Sequence, residues 1–247
     1  MTATPHLPAW REALRTEAAA TLARLGLPTA KLEAWRYTST RGLAPFVDGG
    51  SPGAGDRVAA RALLDGVLGA VGAARIVLLD GRFDAELSIL PQVDGLTVRS
   101  LAAAIAEGSQ DVQARFGQVA PADDALAAWN ARDAADGLVI DVARGAVIEA
   151  PVKVLHVTSG AATSGPTASH VRVLIRLASS AQATVVERHL GPAQLPYLAT
   201  AVTEVTLAPN AHLRHVRLQE DGDQAVHLSQ LFATQDRDAS LRTSVVS

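Results

Sequence analysis

A chain of 247 residues with 48% hydrophobic and 19% charged side chains has the apolar content of a globular protein, enough for one large or two modest cores. Its formal net charge of -3 excludes a global attraction to nucleic acid or anionic lipid, and no apolar run is long enough to cross a bilayer. The absence of cysteine excludes disulfides, thiolate nucleophiles and thiolate metal ligands, and makes a reducing cytoplasm the default location.

Residues 8–25, PAWREALRTEAAATLARL, place Trp10, Leu14, Ala18, Leu22 and Leu25 on one helical stripe. Pro8 suits the first turn and Gly26 the left-handed residue that ends a helix. Glu12 and Glu17 beside Arg11, Arg15 and Arg24 argue against an acid-poor transit peptide. The stretch GLPTAKLEAWRYTSTRGL follows, with Trp35 and Tyr37 flanking Arg36; it reads as a joint pinned by two aromatic anchors, with a partner-binding surface as the alternative, since such aromatics serve both uses. Residues 45–56 read as a loop, and 57–71 as a helix weakened by glycines.

RIVLLDGRF predicts a short strand running into a turn at Asp80-Gly81. LTVRSLAAAIAEG predicts a strand and then a helix capped by Ser100. PADDALAAWNARDAADG predicts a further helix starting near Asp123 or Asp124. The character changes at Gly137, after which short β-rich runs alternate with turn residues. The reading is therefore α+β, with a mixed, mainly helical region over 1–136 and a β region over 137–247.

In VRVLIRL, Val171, Val173, Ile175 and Leu177 share one face and Arg172, Leu174 and Arg176 the other, the pattern of a half-buried strand with solvated arginines. Residues 158–169, TSGAATSGPTAS, read as a small-residue loop. Ser180, Asn210 and Asp238 each precede an alanine and a new β run, with starts 30 and 28 residues apart. Such a period marks stacked repeats, and with β runs in each unit it predicts a right-handed parallel β-helix, or solenoid. ASLRTSVVS ends without a capping element, so the coil is expected to be incomplete at its C-terminal end, either truncated or covered by a partner.

No phosphate-cradling loop, dinucleotide fingerprint, nucleophile elbow or H-E-x-x-H motif is present; the glycines of GVLGAVG have the wrong spacing. His189, His212, His215 and His227 fall in the β region. His212 and His215, three apart on one strand, face opposite sides, so these imidazoles read as packed or solvated rather than as a metal set. A carbohydrate-active site would need paired carboxylates, for which Glu187, Glu204, Glu220, Asp221 and Asp223 are the β-region supply. No catalytic, cofactor or metal residue is assigned, and the chain is expected not to be an enzyme.

One passage is more specific. Gly26-Leu27-Pro28-Thr29, Lys31, Glu33 and Trp35-Arg36-Tyr37-Thr38 resemble the N-terminal signature of the SufB/SufD family of iron–sulfur assembly proteins, on its SufD side. VLLDGRF with Leu87-Ser88, AWNARDAADGLVIDVARG, EAPVKVLHVTSG and HVRVLIRLASSAQATVVERHL agree with that family in order. The resemblance implies a non-catalytic scaffold subunit of the SUF system, paired with a SufB-like protein and with a SufC-like ATPase. The iron–sulfur cluster would be handled transiently by the assembled complex, with no cofactor held by this chain. The family extends well past residue 247; its SufC contact, main SufB interface and late functional histidine belong there, and none maps onto His212, His215 or His227. The alternative is a free-standing β-solenoid module that self-associates through its open end.

Overall fold

The computed structural model describes residues 7–47, 53, 55–66, 74–160 and 167–247. Most of GVLGAVG, the last residues of the expected 57–71 helix, part of the 45–56 loop and the middle of the 158–169 loop lie outside the described residues.

Helix α1 spans Ala9–Leu25 and ends at Gly26, whose φ of 66° lets its N–H reach the Leu22 carbonyl. Two short 3-10 turns follow, Glu33–Trp35 and Arg41–Phe46. Helices α2 (Arg57–Asp65), α3 (Leu101–Ala106), α4 (Gln110–Arg115) and α5 (Ala125–Asp133) each start on a side-chain cap. Asp56, Ser100, Ser109 and Asp124 accept hydrogen bonds from first-turn N–H groups that the helix itself leaves unpaired.

Among the described residues, eleven strands form two sheets. The six-stranded sheet holds β1 (Ile76–Leu79), β2 (Arg82–Phe83), β5 (Val152–Val157), β7 (Gln182–Leu190), β9 (His212–Glu220) and β11 (Ser240–Val246), in the order β11-β9-β7-β5-β1-β2. The five-stranded sheet holds β3 (Leu96–Ser100), β4 (Asp136–Val142), β6 (Thr167–Leu177), β8 (Tyr197–Leu207) and β10 (Ala225–Gln235), in the order β10-β8-β6-β4-β3. Neighbours are parallel except at one edge of each sheet, where β2 and β3 pair antiparallel.

The right-handed parallel β-helix expected from the period is corrected to this mixed α/β arrangement of two mostly parallel sheets. The repeat is a property of register: Gln182 pairs with His212 and His212 with Ser240, so 30 and 28 residues separate parallel neighbours within one sheet. A period fixes that spacing without specifying what the chain does between neighbours. Here each interval carries a strand of the other sheet, and the antiparallel β2 and β3 close the series at its start.

Ser180, Asn210 and Asp238 sit at φ of 60–61°, where a short polar side chain tolerates the left-handed turn. Ala181 and Ala211, directly after them, are fully buried. Between the sheets lies the main core, with Val154, Val185 and Leu213 from one sheet facing Ile140, Val173, Ile175 and Val205 from the other. The outer face of the five-stranded sheet is covered by α1, α3 and α5 through Ala18, Leu101, Ile105 and Ala131, together with Phe116 at the end of α4. No described helix is long and apolar enough to cross a membrane.

Candidate functional site

Alternation along a strand sends every second residue inward. On three neighbouring strands the inward series changes from apolar to polar at the same level. Val152 and Val154 lead to His156 on β5, Ala183 and Val185 to Glu187 and His189 on β7, and Leu213 to His215 and Arg217 on β9. Parallel register sets His156 directly beside His189 and Glu187 directly beside Arg217. A polar layer thus lies between the sheets where the hydrophobic core stops.

Glu187 is the centre of this layer and is 0% exposed. Its Oε1 lies 3.2 Å from His215 Nε2, and its Oε2 lies 3.6 Å from His156 Nε2, 3.8 Å from His189 Nε2 and 4.0 Å from Arg217 Nε. These are ion-pair distances without hydrogen-bond alignment: both carboxylate oxygens and the three Nε2 atoms have no hydrogen-bond partner. His156 and His189 stack with ring centroids 4.1 Å apart and 11° between planes, and His189 meets His227 edge-on at 4.3 Å. From the five-stranded sheet, His227 Nδ1 lies 2.9 Å from Asp221 Oδ2, and the Tyr197 hydroxyl donates to Asp221 Oδ1 at 3.0 Å.

Burial raises the Glu187 carboxyl, but the imidazoles of His156, His189 and His215 outweigh it and hold the group well below the usual carboxylate range. Burial, reinforced by His156, pushes His189 down to about 3, so its ring is neutral at pH 7. Burial likewise raises Asp221, and His227 brings it back below its ordinary value. The layer therefore contains ionised carboxylates facing a neutral imidazole at His189.

The layer reaches solvent through a groove of about 380 Å³ lined by Ala34, Trp35, Thr38, Arg217, His227 and Ser229, among others. One wall comes from the N-terminal signature and the other from the polar layer. Gly26 ends α1, Leu27 is half-buried, and Pro28 is buried and accepts a hydrogen bond from the Thr40 hydroxyl. Trp35 packs with Leu22, Phe46 and Trp129, whereas Lys31, Glu33, Arg36 and Thr38 are exposed. Tyr37 is 91% exposed, with the Arg36 guanidinium 5.6 Å from its ring centre. The joint thus has one aromatic anchor rather than two, because the 3-10 turn at Glu33–Trp35 breaks the extended alternation.

Residues 157–247 match the SUF system FeS cluster assembly SufBD core domain. The chain is 29% identical over 216 residues to the iron–sulfur cluster assembly protein SufD of Escherichia coli (strain K12), covering 84% of this chain and 46% of that protein. It is 25% identical over 239 residues to an iron–sulfur cluster assembly SufBD family protein of Synechocystis sp. (strain ATCC 27184 / PCC 6803 / Kazusa), covering 92% of this chain and 51% of the relative. It spans about half the length of the curated relatives it matches. Every member of the buried layer except His156 falls within the SufBD core match.

The sequence singled out four β-region histidines, and the structure divides them. His189, His215 and His227 enter the layer, while His212 points the other way and pairs through Nδ1 with Ser240 Oγ at 2.7 Å. His156 was missed; the signal that finds it is its parallel register with His189. The carboxylates do not form a paired acid–base groove. Glu187 lies in the layer, whereas Glu204 lies on the outer side of the other sheet, where Arg172 and the backbone of Gly117, Val119 and Ala120 hold it. Glu220 pairs with Arg188, Asp221 with His227, and Asp223 is exposed.

Arg172 also departs from its expected solvated position. It is 1% exposed, because the helices and the 116–120 segment cover the face on which it stands.

Proposed function

We propose that this chain is of the SufBD family and part of a scaffold for iron–sulfur cluster assembly that works through partners of SufB-like and SufC-like type and catalyses no step by itself. The SufBD core match over residues 157–247 carries the reading. Two features support it. The matched region is mostly parallel sheet whose side chains are engaged in packing and internal ion pairs, as suits a rigid platform. The signature Gly26–Thr38 holds the N-terminal helix against that platform through Leu27 and Trp35 while leaving Arg36 and Tyr37 outside.

The test is co-purification. The complete gene product containing this chain, co-expressed with SufB-like and SufC-like proteins under reducing, low-salt conditions, is expected to elute with both. The 247-residue chain alone is expected to retain little or no SufC-like protein. Elution of the complete gene product by itself, or as a self-dimer indifferent to those partners, contradicts the proposal.

A further inference from the structure

Glu187 poses a problem that the scaffold reading does not address. A fully buried carboxylate is costly unless paired and hydrogen-bonded, yet neither oxygen of Glu187 accepts a hydrogen bond. Three buried imidazoles aim Nε2 atoms at it, and each of those atoms is also without a hydrogen-bond partner. Five polar atoms around one small space, all unsatisfied, have the composition of a coordination sphere.

We propose that His156, Glu187 and His189 form a binding site for one divalent first-row cation of borderline character, Zn²⁺ or Fe²⁺, with His215 holding the second oxygen of Glu187.

The donor chemistry selects that class. Imidazole nitrogen with a single carboxylate suits zinc and ferrous iron, whereas calcium and magnesium need a shell built mainly of oxygen. Two ligands of a tetrahedral ion at about 2.0–2.1 Å stand roughly 3.3–3.4 Å apart. Glu187 Oε2 stands 3.6 Å from His156 Nε2 and 3.8 Å from His189 Nε2, within a few tenths of an ångström of that separation. The donor atoms of His156, Glu187 and His189 all lie within 4.8 Å of one another. Because His156 and His189 stack, capture of the ion turns one ring about χ2, a broad torsion.

The surroundings are consistent with such an ion. A cavity of about 10 Å³, bordered by His156, His189, Ser169, Thr200 and Asp221, adjoins the rings and has room for about one water. Arg217 and His227 border both the layer and the outer groove, which places the approach from solvent beside their side chains. Strand register fixes the backbones of all three ligands, so the site is set on rigid elements rather than on loops. The inference stands on the chain's own geometry and does not depend on the proposed partners.

Metal alone is the probe. Zn²⁺ titrated into the chelator-treated 247-residue chain is expected to bind at one equivalent by calorimetry, and Co²⁺ to give the visible absorption of a tetrahedral site. In the wild-type chain, ¹⁵N-imidazole spectra are expected to show Zn²⁺-induced shifts at the Nε2 of His156 and His189 but not of His212. Glu187→Gln and His189→Gln are each expected to weaken binding at least tenfold, while His212→Gln leaves it unchanged. The wild-type spectra decide the matter if either layer variant fails to fold. Absence of stoichiometric binding by the wild type, or Zn²⁺ shifts confined to histidines outside the layer, overturns the site and leaves a purely ionic cluster.

Discussion

Arg172 and Glu204, from adjacent parallel strands, form an ion pair at 2.7 Å in which neither side chain is more than 2% exposed. Glu204 also accepts hydrogen bonds from the N–H groups of Gly117, Val119 and Ala120, and the Arg172 guanidinium lies 5.0 Å from the centre of the Phe116 ring. One carboxylate thus fastens the 116–120 segment to the sheet. Phe116 in turn receives Arg11 of α1 at 4.8 Å. The N-terminal helices are tied to the SufBD core match by this chain of contacts as well as by apolar packing.

Replacing Glu204 by Ala strands a buried guanidinium and three backbone donors. The expected loss is about 3–5 kcal/mol of unfolding free energy, read by denaturant titration. The double replacement Arg172→Met, Glu204→Leu is expected to recover a large part of that loss, because it removes the unpaired charge. A loss below about 1 kcal/mol for Glu204→Ala would show that the pair is dispensable.

Gly137 packs its α-carbon against the neighbouring strand so closely that an added Cβ would stand 1.8 Å from the Arg172 carbonyl oxygen. The three nearest atoms are all Arg172 backbone, so no flexible side chain can move aside. Gly137→Ala is expected to separate β4 from β6 and to cost more than about 4 kcal/mol, beyond the range of ordinary point substitutions. Thermal denaturation checks this, and a melting temperature within about 2 °C of the wild type would contradict it.

His170 lies beside Trp129, with its Nδ1 2.8 Å from the Thr200 hydroxyl, and burial pushes its pKa down to about 4. The unfolded chain binds this proton near pH 6.5 and the folded chain only near 4, so stability falls as pH drops through that window. The slope expected from this group is about 1 kcal/mol per pH unit, and His170→Gln is expected to reduce the slope by that amount. Equilibrium unfolding at intervals from pH 7 to 4 measures it; equal slopes in the two proteins would contradict the assignment.

The two signature aromatics are expected to separate by phenotype. Trp35→Ala removes an anchor packed on Leu22, Phe46 and Trp129, and is expected to lower stability by about 1–3 kcal/mol. Tyr37→Ala, at a 91% exposed position, is expected to change stability by less than about 0.5 kcal/mol. If Tyr37 serves a partner, its replacement weakens co-purification without changing the melting temperature. A stability loss at Tyr37 equal to that at Trp35 would contradict this division.

Local chemistry made much of the fold legible. Gly26 marked the end of α1, Ser100 and Asp124 the starts of α3 and α5, and Ser180, Asn210 and Asp238 the repeated left-handed corners. Each depends on a side chain and its immediate backbone. The failures depended on distant partners. Alternation in VRVLIRL separates two faces but does not reveal that helices cover the one carrying Arg172. The 28–30 residue spacing reports parallel neighbours without deciding how the chain travels between them, so two sheets were taken for a coil. The layer around Glu187 needed register: His156 is distant from Glu187 in sequence and reaches it only because β5 pairs with β7.

Iron–sulfur cluster transfer to an apo-acceptor provides the most direct measurement of the scaffold account. SufB-like and SufC-like proteins, supplied with iron, a sulfide source and ATP, are expected to load the acceptor rapidly only when the complete gene product carrying this chain is present, in stoichiometric rather than catalytic amount. Loading at the same rate and yield in its absence would contradict the account.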